Sequence, residues 1–222
     1  MDIHFFDVDY TILRKSSSYY FLMEALKQHV LALNAVGSLP FDWLRYKFGT
    51  IHDDFIARAV AHMAGIEEQT VNSIAQTCFE RRAYMNIYAE ALLLINSIQQ
   101  NGGKALLATS AFSHIIKPLE HFLNIEESLA TVLEFSEGKT TGRIVGNALF
   151  GRHKKDAVAV WLETHHYAPQ NVWLYSDSYT DLPLFDYVGH PVAVNPDRFL
   201  QKQAQRRGWQ ILRWHRRTDP VL

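Results

Sequence analysis

An α/β fold, a mostly parallel sheet flanked by helices and carrying a helical insertion, is predicted by three observations. Short apolar runs alternate with helical segments through the second half of the chain, two of those runs stop at acidic residues, and a long helical stretch interrupts the pattern early. The first strand is Ile3-His4-Phe5-Phe6, which ends at Asp7-Val8-Asp9 as a buried strand running into a functional loop does. From Ser16 to about Tyr88 helical spacing takes over, with Tyr20, Met23, Leu26 and Leu33 in one stripe and Phe55, Ala59, His62 and Met63 in another. Breaks fall at Gly37-Ser38-Leu39-Pro40 and at Gly65. A helix over Tyr88 to Gln100 stops at Asn101-Gly102-Gly103, followed by the strand Ala105-Leu106-Leu107-Ala108 running into Thr109-Ser110.

A helix through Ile115, Leu119 and Phe122 comes next. Then two β-prone runs, Thr131 to Phe135 and Thr141 to Val145, flank the turn Glu137-Gly138-Lys139 as a hairpin. A helix from about Lys154 to His166 leads to the strand Val172-Trp173-Leu174-Tyr175, with Asp177 just beyond it. Pro191 to Val194 and Gln210 to Leu212 close the series. The division expected is a core of residues 1–15 and 89–222 with a helical insertion over 16–88. In a parallel α/β sheet the ligand crevice lies beyond the strands' C-terminal ends, so Asp7, Asp9, Thr109, Asp177 and Asp181 are expected to converge.

Composition narrows the partners. The 22 Lys+Arg balance 23 Asp+Glu, which argues against a nucleic-acid binder, whose excess of positive charge neutralises phosphates. With 48% apolar residues the chain has enough to bury, so disorder is not expected. A single cysteine, Cys78, allows no internal disulfide and suits a reducing compartment. The N-terminus lacks the pattern of a secretory signal, and Tyr19 to Val36 is interrupted by Glu24, Lys27, Gln28 and His29, short of roughly 18 apolar residues needed to span a bilayer. A cytoplasmic protein with no stable membrane insertion is expected.

Asp7, Asp9, Asp177 and Asp181 would repel one another unless neutralised, most simply by a hard cation with oxygen ligands. Magnesium is the expected ion, since it uses one or two carboxylates and keeps positions for water and phosphate. An anionic substrate follows, with a lysine and the metal countering its charge and the hydroxyl and N–H groups around Thr109 holding its oxygens.

Phe6-Asp7-Val8-Asp9-Tyr10-Thr11-Ile12, Leu107-Ala108-Thr109-Ser110, a lysine near residue 154, and Tyr175-Ser176-Asp177-Ser178-Tyr179-Thr180-Asp181 resemble the four ordered motifs of the haloacid dehalogenase (HAD) superfamily. More narrowly, the chain is similar to the phosphoserine-phosphatase-like subfamily IB, with a helical C1-type cap after the first motif on a Rossmann-like core. The likeness extends to Ala193-Val194-Asn195-Pro196-Asp197 and to Gly208-Trp209. It implies a magnesium-dependent phosphatase of a small phosphomonoester. Asp7 would be the nucleophile, forming an aspartyl-phosphate, and Asp9 the general acid and base. Thr109 and the N–H of Ser110 would bind phosphate together with Lys154. The Asp7 and Asp177 carboxylates and the Asp9 carbonyl would hold Mg2+, and Asp181 would be a further ligand or would orient a bound water.

Lys154 is preferred to Lys155 because it places Val158 and Trp161 on the apolar stripe of its helix. An acid at position 9 favours phosphoryl transfer over dehalogenation. The resemblance breaks at Ser16, where phosphoserine phosphatases carry a glutamate for the substrate amine, so phosphoserine specificity is not carried over. It breaks again at Tyr10, where most relatives have a small residue. Alternatives on the same scaffold are a phosphomutase or phosphotransferase, a phosphoserine or lipid-phosphate phosphatase, and a regulatory binding protein without activity.

Cap residues that could set specificity are Tyr19, Tyr20, Trp43, Arg45, Tyr46, Lys47, Phe48 and Arg58, the aromatics expected mainly in the cap core and the cations mainly solvated. His153, His165 and His166 read as surface histidines, and Cys78 as a small buried hydrophobe. Lys202, Arg206, Arg207, Arg213, Arg216 and Arg217, interleaved with Trp209 and Trp214, read as a solvated basic face.

Overall fold

The computed structural model describes residues 2–31 and 54–216. Seven strands form one sheet in the order β4-β3-β2-β1-β5-β6-β7. They are β1 (Ile3–Phe6), β2 (Lys104–Phe112), β3 (Ser128–Ser136), β4 (Lys139–Val145), β5 (Val172–Ser176), β6 (His190–Val194) and β7 (Gln210–Leu212). All pairings are parallel except that of β3 with β4, the expected hairpin.

Side chains alternate across each strand, so neighbours in sequence build opposite faces. Phe6, Leu107, Tyr175 and Val192 face one layer, made by α4 (Ala89–Gln100) and α5 (Ser113–Phe122). Phe5, Leu106, Leu174 and Ala193 face the other, made by α6 (Gly151–Thr164), α7 (Leu182–Phe185) and α8 (Arg198–Arg207). β1 is central and wholly buried, which explains why it is apolar at every position but His4. Even His4 is inside, next to the Tyr175 hydroxyl, and burial pulls its pKa down to about 4, so it is neutral at physiological pH. α8 has clear ends: Asp197 caps the N–H groups of Phe199 and Leu200, and Gly208 ends it at φ 70°.

Between β1 and α4 lie α1 (Ser17–Lys27), α2 (Asp54–Ala61) and α3 (Glu68–Cys78), then a π turn over Phe79–Ala83 and a 3₁₀ turn over Tyr84–Asn86. The chain enters and leaves this stretch side by side, with Arg14 N–H bonded to the Asn86 carbonyl and Tyr88 N–H to that of Ile12. Phe21, Ala25, Val60, Met63, Val71 and Ile74 form a cluster of their own, but it includes Ile115 of α5 and Leu133 of β3. The backbone joins them too: Gly65 N–H bonds to the Thr140 carbonyl, Thr140 N–H to that of Ile66, and Glu68 N–H to that of Gly138. The insertion and the β3–β4 hairpin therefore share a core.

Three expectations change. β2 continues to Phe112, with irregular pairing to β3 after Ala108, so Thr109 and Ser110 lie within the strand. α6 begins at Gly151, one turn before Lys154. The described cations of the basic cluster are exposed as expected, with Arg207, Arg213 and Arg216 bonded at the surface to Asp186, Gln201 and Glu90, but Trp214 among them is buried. Arg217 and the cap residues Trp43, Arg45, Tyr46, Lys47 and Phe48 lie outside the described residues. Of the other cap residues named from sequence, Tyr20 is buried, while Tyr19 and Arg58 are exposed. Cys78 is buried, as expected. Among the described residues no helix is long and apolar enough to cross a membrane.

Candidate functional site

The register of three adjacent strands sets the level of the site. Phe6 aligns with Leu107 on β2 and with Tyr175 on β5, so Asp7, Thr109 and Asp177 emerge within a residue or two of one line at the C-terminal edge. The chain runs from β1 to β2 on one side and returns to β5 on the other, and a crevice opens at such a reversal.

Asp7 continues β1, its N–H bonded to the Tyr175 carbonyl at 2.9 Å. Its carboxylate accepts from Lys154 Nζ at 3.0 Å, and the same ammonium donates to Asp181 Oδ2 at 2.7 Å. Lys154 is only 3% exposed, on the face of α6 that also buries Val158 and Trp161. Lys155 points away, pairing with Asp156 and lying over the Tyr187 ring. Asp181 also accepts from the Ser176 hydroxyl at 2.7 Å, while its Oδ1 is buried with no hydrogen-bond partner. Asp177 accepts from the Thr11 hydroxyl at 3.3 Å, and its backbone carbonyl is fixed by the N–H of Asp197.

Thr109 is buried, and its Oγ1 accepts from Ala111 N–H at 3.2 Å, leaving the hydroxyl proton available to donate. Ser110 is half-buried, and its carbonyl accepts from Thr131. Neither caps a helix, since α5 starts at Ser113 with Phe112 before it.

Asp9 lies on the loop after β1. Ser17 N–H donates to its Oδ1 at 2.7 Å and the Ser16 hydroxyl to its Oδ2 at 2.9 Å. Tyr10, next along, holds the left-handed conformation at φ 60°, which disfavours a large side chain.

Four acids face one buried ammonium, and their acidities show the imbalance. Burial, helped by Asp181 and Asp9 and opposed by Lys154, pushes the Asp7 carboxyl up to about 7. Burial also drives Asp177 well above the carboxylate range, with Asp7 and Asp181 adding to it. Asp9 is raised by burial although the Ser17 and Ser16 hydrogen bonds favour its anion. For Lys154, burial works against the charge, yet Asp181 and Asp7 outweigh it and hold the ammonium protonated.

Among the described residues no three Asp, Glu, His or Cys side chains form a metal cage by themselves. An ion held by two carboxylates, a carbonyl, water and substrate oxygens needs no such cage. The surplus negative charge and the orphaned Asp181 Oδ1 suit a hard divalent cation of that kind.

The contacts that sequence reasoning missed are those of Ser17 and Ser16 with Asp9, of Ser176 with Asp181, and of Asp197 behind Asp177. The run Ser16-Ser17-Ser18 before a helical stripe is an N-cap signal, and it could have pointed to the first of these.

Known proteins are similar to this chain in sequence and in fold. A Mycobacterium tuberculosis protein named as a probable phosphatase is 30% identical over 96% of this chain and 75% of its own. A histidinol-phosphatase of Neisseria meningitidis is 28% identical over 93% of this chain and 96% of its own. The structure of a substrate-bound phosphoserine phosphatase shares the fold with a TM-score of 0.73 at 14% identity, covering 95% of this chain and 92% of that one. The haloacid dehalogenase-like hydrolase family matches residues 4–186, so the chain belongs to that family.

Proposed function

We propose that the protein is a magnesium-dependent phosphatase that hydrolyses a small phosphomonoester through an aspartyl-phosphate on Asp7. The observation that carries this reading is the buried Lys154 bridging Asp7 and Asp181, with Asp9 held two residues beyond Asp7. The phosphatase names of relatives matched over 75% and 96% of their own length support it.

An Asp7 carboxylate oxygen attacks phosphorus, and the bond from phosphorus to the ester oxygen breaks. Asp9 gives its proton to the departing oxygen, then takes one from the water that attacks the aspartyl-phosphate and frees Asp7. Lys154 aims the Asp7 carboxylate and offers its third N–H to a phosphoryl oxygen, while the Thr109 hydroxyl and Ser110 N–H bind the others. Asp7, Asp177 and the Asp9 carbonyl would hold Mg2+, with Asp181 as a further ligand or orienting a bound water. When bound, the ion supplies positive charge that lets the acids ionise and offsets the phosphate. Residues 16–88 act as the cap that closes over the crevice and excludes water.

Phosphoserine is a poor fit. Ser16, where a glutamate would meet the substrate amine, is neutral, and its hydroxyl is bonded to Asp9.

The test is phosphate release from p-nitrophenyl phosphate and from a panel of phosphorylated metabolites. Activity is expected to need Mg2+, to stop with EDTA, and to vanish in Asp7→Asn. Activity surviving Asp7→Asn overturns the assignment of the nucleophile.

A further inference from the structure

Ser16 is the N-cap of α1, its Oγ accepting from Tyr19 N–H at 3.4 Å, and the same hydroxyl donates to Asp9. Ser17 N–H, among the first amides of α1 and without a partner inside the helix, is satisfied by the Asp9 carboxylate. Both oxygens of Asp9 are thus held from the insertion, while Asp9 itself belongs to the loop after β1.

We propose that Ser16 and the Ser17 N–H are the positioning groups for Asp9, so that the first helix of the insertion sets the aim of the proton donor. The inference rests on the reading of Asp9 as general acid and base. The two contacts are not equivalent. An N–H can only donate, so Oδ1 must stay an acceptor, and the proton of neutral Asp9 sits on Oδ2. A hydroxyl both donates and accepts, so Ser16 stays bonded to Oδ2 in either state. Before reaction the Oδ2 proton points to Ser16 Oγ. As the ester bond breaks, the Oδ2–H bond breaks and a bond from that hydrogen to the leaving oxygen forms, and Ser16 turns its own proton back to the new carboxylate. Ser16 therefore holds the proton in place until the leaving group takes it.

Leaving-group dependence separates this role from a structural one. An alkyl phosphate leaves as a basic alkoxide and needs the proton, whereas p-nitrophenyl phosphate needs it much less. In Ser16→Ala, kcat for an alkyl phosphate is expected to fall about tenfold more than for p-nitrophenyl phosphate, the worth of one hydrogen bond, with KM little changed. Ser16→Gly keeps a tolerated cap without the hydroxyl and should behave alike if the alanine variant folds poorly. Ser16→Thr restores the hydroxyl and should recover the alkyl rate.

Equal losses on both substrates, or no rescue by threonine, overturn the proposal. Asp9→Asn is the reference. If it shows the leaving-group dependence and the Ser16 variants do not, the positioning role fails alone. If Asp9→Asn shows none, the acid/base reading fails with it.

Discussion

Lys154 lies closer to Asp181 than to Asp7, 2.7 Å against 3.0 Å, so the lysine is anchored from β5's loop while it reaches the end of β1. Replacing it with methionine leaves two buried carboxylates without a counter-charge. Lys154→Met should cost about 3 to 5 kcal/mol of stability in EDTA, read by urea denaturation. Phosphate release should drop by about a hundredfold or more. Unchanged stability would mean that the pair is not formed in solution.

The raised acids predict a pH dependence of the metal-free protein. Folded Asp7 holds its proton up to about 7, whereas the unfolded chain releases it near 3.8. The folded state thus binds more protons across that window, so this contribution to stability is full below 3.8 and lost as pH rises through about 7. Asp177 acts in the same direction. In EDTA, the melting temperature is expected to be higher at about pH 5.5 than at about pH 8, with magnesium recovering much of the difference at the higher pH.

The join between insertion and hairpin can be tested at Gly142. It sits at φ +78°, and a Cβ there would meet Ala64 Cβ at 3.0 Å and Ala61 backbone at 3.3 Å. Gly142→Val should destabilise the protein by about 1 to 3 kcal/mol. It should also speed hydrogen exchange at the amides of Gly65 and Glu68, which bond to the hairpin. Unaltered exchange at those two amides would show that the contact is dispensable.

Burial, with Glu24 adding to it, pushes the Cys78 thiol up to about 12. Iodoacetamide at neutral pH should leave the native protein unmodified and active, and mass should increase only after denaturation.

Much of the site was legible because its acids stand where buried central strands end. Asp7 and Asp177 follow apolar runs that could only be core, and Val158 and Trp161 selected Lys154 by helical spacing. The course of Thr109 and Ser110 was not, since their strand continues through irregular pairing that depends on β3, far along the chain. The join between insertion and hairpin was equally hidden. Thr140 meets Gly65 and Ile66 through backbone groups, which every residue carries, and its buried hydroxyl adds bonds to Met63 and Ile66, but partners more than 70 residues away leave no local mark in the sequence. The basic C-terminal residues were legible as a solvated face, but composition does not show that Trp214 among them is buried.

The shared cluster around Ile115 and Leu133 has a bearing on engineering. A minimal enzyme made by excising residues 16–88 and joining the two ends would be geometrically simple, because the chain enters and leaves side by side. It would also strip the cover from Ile115 and Leu133 and from the partly buried Phe112, Phe135 and Ile144. That leaves a contiguous apolar patch of the kind that drives self-association. A version without residues 16–88 would need polar replacements at those positions before it could stay in solution.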